Sequence, residues 1–317
     1  MKRRAFLAVG LAAGAAAVCA ADARPSPDAA VSTLRIAAGE PAGSYLPFVR
    51  LLVRELEVAT PGLRCTAIAT EGSVENLRLV ATGRADVGLS LADIAEASFL
   101  GTAPFRRATR VNALGRVFEN YLQLAVRADS EIRTVPELAG RVVSVGAAGS
   151  GGAVLGARLL DGVGLRSVRV LRLPMPEART AMLSGTIDAM LVSGGVPVTV
   201  LAELDAAIGI RLLPLGEYRS LLGPPGQTVY ESVPVPPGAY HGGSDVDTVG
   251  VANLLVCAPT LPYPVAAAVT GVLAERAGAR IPAQAVGTQF LDVRSLINTG
   301  TVPLHPGAIH AYRERHG

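Results

Sequence analysis

Short apolar runs alternate with helical apolar patterns along the chain, and each run ends in a polar loop that carries Gly or Ser. Compact β-branched runs predict buried strands, and apolar residues three or four positions apart predict helices that pack on them. The early part of the chain therefore predicts three consecutive strand–loop–helix units. Their strands cover 33–38, 63–69 and 86–90, and the first two helices cover 46–57 and 74–82.

The same pattern returns after residue 141. Predicted strands cover 142–145, 168–173, 186–192 and 210–215, and the helices between them include 176–184 and 199–207. Two longer apolar runs, 114–127 and 248–257, predict strands that cross between two halves of the protein. Pro and Gly crowd residues 223–243, and a further helix is predicted at 264–277.

These elements predict an α/β protein of two lobes, each with a central sheet flanked by helices. The first lobe is predicted to be discontinuous, 31–125 and 236–317, and the second continuous, 126–235. A chain of 317 residues suits two lobes better than a single core. The two crossing strands would then form a hinge that lets the lobes close around a ligand.

One stretch, Arg141–Leu160, predicts a strand, a Gly-rich turn and a helix in succession. Its turn places free backbone N–H groups, a positive helix end and the Ser150 hydroxyl near one another, which favours binding of an anion such as a carboxylate. A tight turn without a ligand is the simpler interpretation. The turn is not a nucleotide loop, because the lysine of a Walker A loop and the glycine spacing of a Rossmann loop are both missing.

Other loops are predicted to lie beside this one. In parallel sheets, ligands bind outside the carboxyl ends of the strands, so Gly43-Ser44-Tyr45, Gly72-Ser73 and Ser90 should cluster at one rim. The second half adds Ser193-Gly194. Ser73 alone would fit the N-cap position of a helix, and Ser90 a local hydrogen bond at a strand end.

Residues 1–23 are typical of an export signal, because Lys2, Arg3 and Arg4 precede an apolar run that ends in small residues. The pair of arginines fits the twin-arginine route as well as the general secretory route. A lipid anchor on Cys19 is not expected, since Val18 precedes it. The protein is therefore predicted to act in the periplasm.

Charge and cysteine content limit the partners and sites that the chain can have. Removal of residues 1–20 takes away three basic side chains, so the 29 basic ones fall to 26, which equals the 26 acidic ones and predicts no nucleic-acid partner. Cys65 and Cys257 could pair in an oxidising compartment or stay as buried thiols. No spacing of Cys and His predicts a metal site, and no cofactor is expected.

The chain resembles the TAXI family, the extracytoplasmic solute receptors of tripartite ATP-independent (TRAP-type) transporters. The resemblance spans nearly the whole mature chain. It rests on motifs that occur in order: Gly43-Ser44-Tyr45, Gly72-Ser73-Val74-Glu75-Asn76-Leu77, Gly83-Arg84-Ala85-Asp86, Gly149-Ser150-Gly151, Gly185-Thr186-Ile187-Asp188-Ala189, Ser193-Gly194-Gly195-Val196-Pro197 and Pro303-Leu304-His305-Pro306-Gly307-Ala308.

This resemblance implies a two-lobed fold of the type II periplasmic-binding-protein kind and a receptor without enzymatic activity. It also implies a small organic anion or amino acid as ligand (glutamate, glutamine or 2-oxoglutarate) and a TRAP-type membrane permease as partner. The ligand-binding candidates that it implies are Gly43, Ser44, Tyr45, Ser73, Asn76, Ser90, Gly149, Ser150, Gly151, Ser193 and Gly194.

Two alternatives remain open at this stage. Ala148-Gly149-Ser150-Gly151-Gly152 is similar to the nucleophile elbow of a serine hydrolase, and Ser150, Asp188 and His305 follow in hydrolase order. The protein could also be an exported sensor that reports a bound ligand to a membrane kinase.

Overall fold

The strands follow the order that the apolar runs predict. A computed structural model describes residues 33–224, 229–241, 246–281 and 293–316, so the predicted export signal and Cys19 lie outside the described residues. The strands are β1 Thr33–Ala37, β2 Arg64–Ile68, β3 Val87–Leu91, β4 Asn112–Arg127, β5 Val142–Ser144, β6 Arg169–Leu171, β7 Ala189–Gly194, β8 Ile210–Leu213, β9 Tyr230–Pro234 and β10 Asp247–Cys257.

The helices lie mostly between consecutive strands, as in other α/β proteins. They are α1 Tyr45–Ala59, α2 Ser73–Ala81, α3 Ala92–Leu100, α4 Gly151–Gly162, α5 Met175–Leu183, α6 Thr199–Ile208, α7 Tyr263–Val272, α8 Gly278–Arg280, α9 Val293–Leu296 and α10 Pro306–His316. Short 3₁₀ helices occupy Val135–Leu138 and Gly216–Leu221. None of these described helices is long and apolar enough to span a bilayer.

The strands join in one mixed sheet whose order is β2-β1-β3-β10-β4-β7-β5-β6. Strands β1, β2 and β3 are parallel, and so are β5, β6 and β7. The two parallel sets are joined by the antiparallel pair β4 and β10, which are the two long strands that were predicted to cross. The lobe boundaries themselves stay a prediction.

Three predicted elements differ from the structure. Strand β9 lies in the segment that was predicted only as crowded with Pro and Gly, because its backbone pairs antiparallel with β10. The helix predicted at 264–277 changes to a π-helical turn at Leu273–Ala277. Asp188 precedes β7 rather than lying within a strand.

The two cysteines are free thiols, so the predicted alternative of a disulfide is wrong. Cys257 is fully buried on β10, and burial raises its pKa to about 12. Burial also raises the pKa of Cys65 to about 11, with Glu57 adding to the shift. Neither thiol is therefore a reactive thiolate near neutral pH.

Candidate functional site

A pocket of about 550 Å³, counting its open mouth, lies where the loops at the carboxyl ends of the parallel strands meet. Residues from both parallel sets line it: Gly39, Glu40, Gly43, Ser44, Tyr45, Glu71, Gly72, Ser73, Leu91, Asn120, Val145, Gly146, Ser150, Gly151, Gly152, Met175, Met190, Leu191, Val192 and Ser193.

The fold brings most of the predicted ligand-binding residues to this pocket. Those that line it are Gly43, Ser44, Tyr45, Ser73, Ser150, Gly151 and Ser193. Four predicted residues are outside its lining: Asn76, Ser90, Gly149 and Gly194. Their contact with a ligand stays a prediction. The hydrogen bonds of Asn76, Ser90 and Gly149 indicate that these three residues stabilise the fold around the pocket.

Asn76 and Ser90 are both fully buried. The Asn76 amide donates to the carbonyls of Ala38 and Leu89, the latter at 2.7 Å, which ties α2 to the ends of two strands. The Ser90 hydroxyl donates to the carbonyl of Leu91 at 2.9 Å. Buried polar groups need such partners, so these side chains stabilise the rim of the pocket.

Ser73 does not cap α2 as predicted, because Gly72 is the N-cap residue and Ser73 begins the helix. Gly72 has a φ of 128°, which a residue with a side chain rarely adopts, so Gly suits this N-cap position. The Ser73 hydroxyl instead accepts from the Leu91 N–H at 3.1 Å and lies 3.3 Å from the Tyr45 hydroxyl. It therefore connects α1, α2 and β3 beneath the pocket.

Ser150 is the N-cap of α4, and its hydroxyl oxygen accepts from the Ala153 N–H at 3.0 Å. The same hydroxyl donates its proton to the Ala147 carbonyl at 2.7 Å. The hydroxyl is therefore used within its own turn, and its contact with a bound anion stays a prediction. The buried N–H groups of Gly151 and Gly152 have no acceptor in the described part of the chain, and they are the donors that α4 presents to the pocket.

Gly149 links the two sets of loops through both of its peptide groups. Its N–H donates to the Glu71 carboxylate at 2.5 Å, and its carbonyl accepts from the N–H groups of Val74 and Glu75 at 3.0 and 3.1 Å. A Cβ at this position would lie 2.7 Å from the Glu71 carboxylate and 3.1 Å from the Glu71 Cβ. A side chain at residue 149 would displace the Glu71 carboxylate and crowd the start of α2, so Gly favours this close packing.

Two carboxylates line the pocket. Glu40 is half-buried and accepts from the Met175 N–H at 2.7 Å, while Glu71 is exposed and holds the Gly149 N–H. Burial raises the pKa of Glu40, the Met175 N–H opposes this shift, and the neighbouring charges of Glu71 and Glu177 add to it. The described lining contains no Lys, Arg or His, so these charges have no cationic side chain beside them there.

A family model described as the NMT1-like family matches residues 36–315. The chain belongs to the NMT1-like family. The finer prediction, a TAXI-type receptor, stays a prediction for this NMT1-like protein.

Several solved structures are similar to this NMT1-like chain. The periplasmic aliphatic sulphonate binding protein SsuA from Escherichia coli matches at 19% identity, over 89% of this chain and 78% of that one, with a TM-score of 0.50. Tv2483 bound to L-arginine matches at 16% identity, over 82% and 94% of the chains, with a TM-score of 0.52. A putative L-cystine ABC transporter from Listeria monocytogenes matches at 16% identity, over 82% and 99%, with a TM-score of 0.54.

These likenesses confirm the predicted fold class. The chain has an α/β fold with a mixed sheet flanked by helices, which matches the type II periplasmic-binding-protein structures. At such identities the likeness establishes the fold, and the ligand has to be argued from the pocket of the NMT1-like chain itself.

The three residues of the hydrolase alternative are not brought together. Ser150 lines the pocket, but Asp188 and His305 do not. Asp188 accepts from the Val142 N–H at 2.8 Å, and the buried His305 accepts from the Gly307 N–H at 3.1 Å. A serine nucleophile needs a base within hydrogen-bond reach, and the hydroxyl of Ser150 bonds to its own turn instead.

Asn120 was not among the predicted site residues of the NMT1-like chain, although it lines the pocket from β4. It is only 2% exposed, its Nδ2 donates to the Ser193 hydroxyl at 3.2 Å, and its Oδ1 has no partner. The sequence carried only a weak signal, because Asn120 is one of several polar residues, with Arg116, Glu119 and Gln123, inside the long run 114–127. The sequence also gave a signal for Glu40 and Glu71, because each lies in the loop after a predicted strand, where ligands bind in parallel sheets.

The capping role of Ser150 leads to a testable expectation. Replacing Ser150 by Ala should lower the free energy of unfolding by about 1 kcal/mol, because the Ala153 N–H loses its acceptor. Urea unfolding measures this change, and Ser184→Ala on the exposed end of α5 provides the control. A Ser150→Ala variant as stable as the wild type would show that the cap contributes nothing.

Proposed function

We propose that this protein is an exported solute receptor of the TAXI type, which captures a small carboxylate in the pocket and delivers it to a TRAP-type permease. The observation that carries the proposal is the unpaired pair of N–H groups of Gly151 and Gly152 at the start of α4, buried in a pocket lined from both parallel sets. A helix N-terminus of this kind favours a carboxylate, because its N–H groups and dipole both attract negative charge.

The strength of such binding is adequate for a receptor. A hydrogen bond from a backbone N–H to a carboxylate contributes about 1.5–3 kcal/mol, and a helix end adds up to about 1 kcal/mol. The two N–H groups of Gly151 and Gly152, the helix end and the burial of apolar solute atoms together support a Kd near the micromolar range, about 8 kcal/mol, once the entropy of association is subtracted. No catalytic step is needed, which agrees with the separation of Ser150, Asp188 and His305.

Two further observations support this role. The signal-like residues 1–23 support export to the periplasm. The similar structures include a periplasmic aliphatic sulphonate binding protein and one bound to L-arginine, so the shared fold is compatible with binding a small charged solute. The assignment to a TRAP-type permease depends on the TAXI motifs of the sequence.

Isothermal titration of protein that has been unfolded, dialysed and refolded tests the proposal. The candidates are L-glutamate, L-glutamine and 2-oxoglutarate, followed by the standard L-amino acids and simple organic acids. At least one should bind with one-to-one stoichiometry and a Kd in the micromolar range or below. Correctly refolded protein that binds no member of the whole panel would overturn the receptor function.

A further inference from the structure

We propose that the captured solute carries an ammonium group as well as its carboxylate, and that acids without a positive charge are rejected. This inference rests on the proposed function and concerns the same pocket. It is carried by Glu40, Glu71 and Asn120, none of which was among the residues predicted to bind a ligand.

The charge of the pocket is the first step. Glu40 and Glu71 line it, and the described lining contains no Lys, Arg or His. A dicarboxylate would bring two more negative charges into this space, and like charges in a partly buried site repel each other strongly. An ammonium group between the two carboxylates would instead compensate charges that have no cationic side chain in the lining.

The second step does not depend on charge. Asn120 is buried at the pocket wall, and its Oδ1 is an acceptor without a partner. Its Nδ2 donates to the Ser193 hydroxyl at 3.2 Å, on the other side of the amide. A buried acceptor without a donor is costly, so an N–H or O–H donor on a bound solute would stabilise the site. An ammonium group supplies three such donors.

The third step is the arrangement of donors and acceptors. The free N–H groups belong to Gly151 and Gly152 on α4, whereas the acceptors are the oxygens of Glu40, Glu71 and Asn120. The two N–H groups form the donor wall of the pocket and these oxygens form its acceptor wall, and the two walls meet where Glu71 accepts from the Gly149 N–H. A solute with a carboxylate and an ammonium group satisfies both walls at once.

The experiment compares pairs of ligands that differ only in the ammonium group. Refolded protein is titrated with the standard L-amino acids and with glutarate, 2-oxoglutarate and pentanoate. The amino acid that binds most tightly is then compared with its own des-amino acid. We expect the des-amino acid to bind at least about tenfold more weakly, because it leaves the acceptor wall unpaired.

Variants that remove one carboxylate charge test whether Glu40 and Glu71 recognise the ammonium group. A Glu40→Gln or Glu71→Gln side chain can still accept the Met175 or Gly149 N–H, so the loop contacts are retained. Glu40→Gln should weaken binding of the amino acid about tenfold, and Glu71→Gln should weaken it less, because Glu71 is exposed. Neither variant should weaken binding of the des-amino acid. Glu75→Gln is the matched control, since this carboxylate lies one turn away, outside the lining, and should change affinity less than about twofold.

The outcomes separate this inference from the proposed function. Equal or tighter binding of acids without an ammonium group would overturn the inference and leave the receptor function intact. Equal weakening of both members of the ligand pair by Glu40→Gln would also overturn it, because that result indicates a structural role. Binding of no panel member would overturn the receptor function itself.

Discussion

Replacing Arg158 by Met is expected to destabilise the protein by about 3–5 kcal/mol. The Arg158 guanidinium on α4 donates to the Asp93 carboxylate on α3 at 2.8 Å, and Asp93 is only 1% exposed. Burial raises the pKa of Asp93, and Arg158 is the strongest influence that opposes this shift. Without Arg158 the carboxylate retains the Tyr230 hydroxyl at 3.0 Å but no compensating charge.

Urea unfolding of the variant measures this loss. The double variant Asp93→Asn/Arg158→Met should recover much of it, because it removes the buried charge together with its partner. Arg141→Met is the matched control, since Arg141 lies 4.0 Å from Asp188 in a pair whose two side chains are 45% and 35% exposed, and its removal should cost less than about 1 kcal/mol. If Arg158→Met loses no more unfolding free energy than Arg141→Met, the expectation is contradicted.

Replacing Gly152 by Leu is expected to abolish solute binding while the fold stays intact. A Cβ at Gly152 would meet its nearest neighbours, in Ser193 and Val145, at 3.6 Å, which is ordinary contact. The rest of a leucine side chain would then occupy the pocket and cover the free N–H groups of α4. We expect the Kd to rise by at least about a hundredfold, because the solute loses the volume and the donors that it requires.

Titration with the solute that the wild type binds most tightly measures the effect, and thermal unfolding verifies the fold. Ala157→Leu is the control, because it adds the same side chain to an exposed position of α4. It should leave both affinity and Tm close to those of the wild type. An unchanged Kd in a folded Gly152→Leu variant would show that the solute binds elsewhere.

The order of strands, loops and helices could be predicted because it follows from local pattern. The β-branched run at Val142 and Val143, the Gly-rich turn after it and the helix from Gly151 appear in the structure as β5, a loop and α4. The two long runs became β4 and β10, since strands that are buried on both faces leave continuous apolar stretches. Strand β9 could not be predicted in this way, because its pairing with β10 is decided by tertiary contact.

The pocket was predicted less completely, for a physical reason. Gly and Ser at strand ends indicate where loops meet, but they do not reveal which hydroxyl is already bonded. Ser150 and Ser73 both satisfy neighbouring backbone groups, and only the three-dimensional contacts show it. Glu40 and Asn120 were missed because a single charged or amide side chain has many ordinary roles until its burial and its partners are known.

Native mass spectrometry tests the central claim most directly. Refolded wild-type protein and the Gly152→Leu variant are incubated with a small-molecule extract of bacterial cells, separated from unbound solutes and measured intact. The wild type should retain one small solute per chain, released on unfolding and identified as a compound with both a carboxylate and an ammonium group, and Gly152→Leu should retain none. A wild type that retains no solute, or a variant that retains the same one, would contradict a receptor built around this pocket.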